Sequence, residues 1–184
     1  GSDYFVKPIL GGTIYLPLRL IRGSYFAANL EAGWVANYKG HEVPIFERFQ
    51  LGGEQSLRGY QTGSIFPLKE NNQVFTDSLG RILGGNKFWV LNLEYVFLQF
   101  GPGKMLLFAD LGNTYFDSQS FNPSDFRYSV GAELRIFLPI FQAPLRFIYF
   151  FNPETVQPLD QFGFPIQSLK EKKSGFLFSI GRTF

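Results

Sequence analysis

The chain has no cysteine, one histidine and one methionine in 184 residues. The missing cysteines exclude disulfides, thiolate-ligated zinc and thiol catalysis. Any imidazole chemistry would rest on His41 alone. Beside Glu42 it makes a poor metal site, since a stable one needs three or four ligands. A Ser-His-Asp triad would need the same histidine, and no G-x-S-x-G elbow accompanies it. His41 therefore reads as a solvated loop residue. Charge is also scarce, at 17% of residues, where ordinary domains carry roughly a quarter. A net charge of +2 with no long basic run gives no footprint for nucleic acid. The densest cluster, Lys170–Lys173 (KEKK), reads as a solvated loop. Long apolar runs are missing as well. None reaches 18 residues, and stretches such as IFLPIFQAPL (136–145) are broken by proline, which argues against a transmembrane helix. No secretory signal is visible, and Gly1-Ser2 reads as a cloning remnant.

Aromatic residues are abundant, at 18% with 23 phenylalanines. The length suggests one domain. It holds more apolar surface than a small core needs, so part of that surface is expected to face lipid. The apolar residues recur at every second position, the period of a strand. In GFLFSIGRTF (175–184), Phe176, Phe178, Ile180 and Phe184 share one face, opposite Gly175, Ser179, Gly181 and Thr183. Arg182 lies near the end of the apolar face, where a long side chain can reach the interface. In FWVLNLEYVF (88–97), Trp89, Leu91, Leu93, Tyr95 and Phe97 oppose Asn92 and Glu94. The same alternation places Asp110, Gly112 and Thr114 on one face of 105–116. It does so for Ser129, Gly131, Glu133 and Arg135 in 127–138, for Arg146 and Asn152 in 145–152, and for Asn29, Glu31 and Gly33 in 26–37. A weaker first strand covers 9–19.

One greasy, aromatic face and one polar face predict an antiparallel transmembrane β-barrel with a wet interior. A soluble sandwich has the same period, but these segments run to about 9–11 residues or more, the length that crosses a bilayer, where soluble strands average about 5–6. The connections alternate between short (21–24, 101–104, 141–144) and long (39–86, 117–126, 153–174). Short periplasmic turns and long external loops would put the C-terminus in the periplasm. Counting back from Phe184 gives seven strands, whereas complete bacterial barrels have an even number. The expectation is the C-terminal portion of a larger barrel, of about seven to eight strands, or a hidden eighth strand. Edges unpaired in lipid are costly, so the sheet should close on itself, on a second copy, or in a larger assembly.

The loop 39–86 is far longer than the roughly 12–15 residues that structureless loops tolerate. It carries Ile45, Phe46, Phe49, Leu51, Leu57, Tyr60, Ile65 and Phe66, so it should pack on something, and the barrel lumen is the nearest space. Arg58 inside that lumen would need carboxylate partners. Glu94 and Asp110, on adjacent inward faces, are the expected acceptors. The glycine-rich LGGEQSLRG lacks the Lys-Ser/Thr of a phosphate-binding P-loop. Glu94 and Asp110 as a paired-carboxylate hydrolase would need a substrate cleft that no other residue supplies.

Four segments resemble the BamA-type outer-membrane assembly factor superfamily. FQLGGEQSLRGY (49–60) is similar to its sixth-loop motif, [VL]-R-G-[FY] behind a Gly-Gly pair: here Gly52, Gly53, Leu57, Arg58, Gly59 and Tyr60. GGNKFWVLNLEY (84–95) and LLFADLGNTYFD (106–117) resemble the two strands that follow. FLFSIGRTF (176–184) resembles the C-terminal insertion signal. The resemblance implies the last seven strands of a sixteen-stranded barrel, with Arg58 contacting Glu94 and Asp110. It implies a bacterial outer-membrane location and insertion of other β-barrels at a seam beside the last strand. The seam residues would be Gly175, Phe176, Phe178, Ile180, Gly181 and Phe184. Implied partners are the lipid bilayer, nascent outer-membrane strands, periplasmic POTRA domains and accessory lipoproteins. Neither catalysis, a cofactor nor a metal is expected. A two-partner secretion or patatin-type translocation pore, and a passive small porin, are the alternatives.

Overall fold

The computed structural model describes residues 5–18, 21–37, 42–122, 125–138 and 143–181. His41 and Arg182–Phe184, including the terminal aromatic of the insertion signal, lie outside the described residues. The strands are β1 Phe5–Val6, β2 Ile9–Pro17, β3 Tyr25–Trp34, β4 Ala36–Asn37, β5 Lys87–Phe100, β6 Gly103–Tyr115, β7 Arg127–Ile136, β8 Leu145–Phe151 and β9 Ser174–Ile180. Among the described residues no helix is long and apolar enough to cross a membrane, which says nothing about strands.

Seven strands form one antiparallel sheet in the order β2-β3-β5-β6-β7-β8-β9. The two remaining short strands pair with each other, in the register that β2 and β3 already share. Ile9 lies opposite Gly33, and Val6 lies opposite Ala36. They continue that hairpin beyond a break at Lys7-Pro8, where proline has no N–H to donate, although the Pro8 carbonyl still accepts from Trp34 N–H at 3.1 Å. Among the described residues there is thus no eighth strand in the sheet.

The period-two alternation sets the two faces. Phe147 and Phe178 are directly opposite on β8 and β9, with ring centroids 5.2 Å apart, and Tyr149 and Phe176 are opposite at 4.8 Å. Such cross-strand aromatic pairs stabilise neighbouring strands. They lie on the outer face and stay exposed, Phe176 at 81%. The inner face carries Glu94, Asp110, Glu133, Arg135 and Arg146, all buried.

The inner face is not uniformly wet, as the alternation alone suggested. Phe88 and Val90 of β5 pack with Leu51, Leu57, Tyr60 and Ile65 of the long loop. A second cluster joins Val96, Leu106, Phe108, Ile148 and Phe150. The loop's apolar residues remove the first patch from water, whereas in the second the strand side chains bury one another. Strands β5 and β6 have 14 and 13 residues, but β8 and β9 have seven each. Strand β8 ends before Asn152-Pro153.

Candidate functional site

The long loop turns back over the inner face as a narrow hairpin. Phe49 bridges Gly85, and Leu51 bridges Ile65. At its tip the Gly53 N–H donates to the Tyr60 carbonyl at 3.0 Å, and Gly52 N–H donates to Ser56 Oγ at 2.9 Å. Two glycines show why the motif is spelled as it is. Gly52 has φ +106°, and a Cβ there would lie 2.3 Å from the Gln61 carbonyl oxygen. Gly59 has φ +92°, and its Cβ would meet the Phe150 ring at 2.5 Å. Both positions lie in the left-handed region that side chains avoid, and both sit against another surface.

This tight tip drives Arg58 into the sheet, where it is 0% exposed. Nε and Nη2 donate to Asp110 Oδ2 and Oδ1 at 2.7 and 2.6 Å, a bidentate fork. Nη1 donates to Glu94 Oε1 at 2.7 Å and to Glu133 Oε2 at 2.9 Å. The backbone N–H of Arg58 also donates to Asp110 Oδ2, at 3.0 Å. The guanidinium lies 3.9 Å from the Phe108 ring centroid, a cation–π contact. Burial opposes the Arg58 charge, but Asp110, then Glu94 and Glu133, raise its pKa above the ordinary arginine value. Tyr60 donates its hydroxyl to the Tyr128 carbonyl at 3.0 Å. Burial pushes its phenol up, so the donor proton is retained. Leu57 is fully buried in the apolar cluster beside it.

The structure brings Arg58 together with Glu94 and Asp110, the two acids singled out in the sequence. It adds three charged residues that were assigned only to a face. Arg135 donates to Glu94 and Glu133, and Arg146 donates to Glu133 at 2.6 and 3.0 Å. Arg135 and Arg146 lie directly opposite each other on β7 and β8, and Glu133 accepts from both, offsetting their repulsion. Three guanidinium groups thus meet three carboxylates.

Polar side chains extend the cluster toward both edges of the sheet. Asn92 donates to Asp110 Oδ1 at 2.9 Å and to the Ser56 carbonyl at 2.6 Å. Asn29 donates to Asn92 at 3.4 Å, and Thr13 to Asn29 at 2.8 Å. On the other side Arg146 reaches the Glu54 carbonyl at 3.1 Å, and Ser179 on β9 donates to the Glu54 carboxylate at 3.1 Å. The arrangement fastens a loop to a wall. Its three carboxylates are taken up by guanidinium groups, and no group of three or more His, Cys, Asp or Glu side chains placed to hold a metal ion occurs among the described residues.

Of the proposed seam residues, Gly175, Phe176, Phe178 and Ile180 lie on β9, and Phe184 lies outside the described residues. Phe176, Phe178 and Ile180 point outward and are exposed, whereas Gly175 faces inward, toward Phe150. Gly181 follows the strand at φ +151°. One reading changes: the KEKK segment is not wholly solvated. The Glu171 side chain is only 5% exposed and accepts from Arg127 Nε at 3.0 Å and from Val156 N–H at 2.6 Å.

Comparison with known proteins agrees with this architecture. The outer membrane protein assembly factor BamA of Nitratidesulfovibrio vulgaris is 32% identical over the whole chain, which covers 21% of that protein. The human sorting and assembly machinery component 50 homolog is 32% identical over 67% of the chain, covering 24% of that protein. The chain therefore spans about a fifth to a quarter of the length of these curated relatives. The crystal structure of BamA from Haemophilus ducreyi lacking POTRA domains 1-3 superposes with a TM-score of 0.70, over 97% of this chain and 35% of that one, at 19% identity. That likeness is one of fold: a partial, all-β antiparallel barrel wall. The family model described as the Omp85 superfamily domain matches residues 1–184 from end to end, and the chain belongs to the Omp85 superfamily.

Proposed function

We propose that this chain forms part of an outer-membrane barrel that assembles other β-barrel proteins into the membrane. The observation that carries the reading is the buried Arg58 socket, which joins the loop tip to β5, β6 and β7 at once. A wall braced from inside can keep its shape while one edge opens. The last strand, β9, then offers backbone donors and acceptors to an incoming client strand, by β-augmentation. Its outward Phe176, Phe178 and Ile180 would face acyl chains. The chemistry is hydrogen-bond exchange between strands and involves no covalent step. POTRA domains, accessory lipoproteins, the remaining barrel wall or a second copy would complete the working assembly.

The test is the folding rate of a small β-barrel client into liposomes, with and without the reconstituted protein. Acceleration by the wild type that is largely lost in Arg58→Ala supports the reading. An unchanged client rate with the wild type overturns it. Steady ion conductance indifferent to Arg58→Ala would point instead to a passive pore.

A further inference from the structure

A cavity of about 210 Å³ lies at the outer end of β9, apart from the charged cluster. One wall is the back of the loop tip, from Gly59 to Ser64. The opposite wall is the segment 169–172, and Phe150, Phe176 and Leu177 close the sides. The walls are fixed to each other. The Asn152 side chain, fully buried, donates to the Gly59 carbonyl at 3.3 Å and to the Lys172 carbonyl at 2.8 Å. Its backbone N–H donates to the Lys173 carbonyl at 2.7 Å.

The lining has two characters. Leu169, Phe150, Phe176 and Leu177 are apolar, and Phe176 also belongs to the outward face. Phe150 and Gly175 belong to the inward face, so the cavity reaches both faces at β9, the last strand of the sheet. Its charged members are Lys170, Glu171 and Lys172. Glu171 is occupied by Arg127 and by the Val156 N–H. Neither lysine has a carboxylate partner among the described residues, and both are exposed. The lining also includes Ser64, 8% exposed, whose hydroxyl has no hydrogen-bond partner. Buried polar groups normally have one.

We propose that this cavity binds an anionic amphiphile, its phosphate or carboxylate held by Lys170 and Lys172 and its apolar body lying against Leu169, Phe176 and Leu177. Small-molecule sites are concave and mainly apolar, with a few placed polar groups, and a lysine pair near a membrane surface attracts anionic headgroups. The inference rests on the membrane-spanning reading of β9. It places a lipid at the junction between the loop tip and the strand proposed to open, so occupancy would hold the two together.

The experiment is native mass spectrometry of the full chain released from mixed micelles. Phosphatidylglycerol and phosphatidylcholine of matched acyl chains are offered in equal amounts, with glycerol phosphate as a headgroup-only competitor. Preferential retention of phosphatidylglycerol is expected, falling about thirtyfold in Lys170→Gln/Lys172→Gln, from roughly one kcal/mol of attraction per lysine. Leu169→Trp, which fills the cavity and leaves both lysines, should also reduce it. Lys69→Gln, a cation elsewhere on the outer loops, should not. Equal retention of both lipids, retention indifferent to the lysines, or full displacement by glycerol phosphate would overturn the proposal. Client-folding rates measured on the same preparations separate this outcome from failure of the assembly function.

Discussion

Replacing Arg58 by methionine is the most informative single perturbation. The side chain is 0% exposed in the chain by itself, so additional wall or partner surface can only bury it further. Its loss does not orphan all three acids. Glu133 keeps Arg135 and Arg146, and Glu94 keeps Arg135. Asp110, also 0% exposed, is left with Asn92 and the backbone N–H of residue 58. The cost is therefore concentrated on one unpaired carboxylate. Breaking a buried pair in this way costs about 3–5 kcal/mol. With a urea dependence of roughly 1–3 kcal/mol per molar, the midpoint should fall by about 2 M. Removing the orphaned charge as well, in Arg58→Met/Asp110→Asn, should recover most of that loss, because an uncharged pair avoids the penalty. The assay is urea unfolding of the reconstituted protein, with deuterium uptake at the Leu51 and Ile65 amides reporting release of the loop. A loss of about 1 kcal/mol or less, the value of a solvated ion pair, would refute the reasoning. So would a double variant no more stable than Arg58→Met.

Two further perturbations test the socket and the outer face. Gly59→Ala should release the loop tip, because φ +92° and a Cβ 2.5 Å from the Phe150 ring leave no room. Strain of about 1–3 kcal/mol, plus displacement of Phe150, should appear as fast deuterium exchange at Gly53, whose N–H bonds the Tyr60 carbonyl. Phe178→Arg, on the outward face at 60% exposure, should cost up to about 2–4 kcal/mol if β9 lies at the bilayer midplane. The same change should be nearly neutral if that face meets water, and the unfolding midpoint in liposomes distinguishes the two.

Some of this architecture was written in residue order alone. Side chains in a strand alternate between faces, so GFLFSIGRTF or FWVLNLEYVF already separates a greasy face from a polar one. The spacing of turns and long loops likewise gave the seven strands of the sheet. The Gly-Gly and Arg-Gly-Tyr spelling of the loop tip was legible only through its resemblance to the family motif, and the structure supplies the reason for it in the positive φ of Gly52, Gly53 and Gly59.

What alternation could not supply is register. It places Glu133, Arg135 and Arg146 on the inward side but leaves open which of them meet. Only the pairing of β7 with β8 sets Arg135 opposite Arg146 and makes Glu133 their shared acceptor. Nor could it mark the inward face as partly dry. Phe88 and Val90 lie on that face, and their burial depends on a loop that is distant in sequence. The burial of Glu171 in a run that reads as solvated has the same origin, since Arg127 and Val156 come from other segments. Facing is a local consequence of backbone geometry and is fixed by the order of residues. Partnership, dryness and the cost of a buried charge depend on contacts between remote segments, and the tertiary structure decided them.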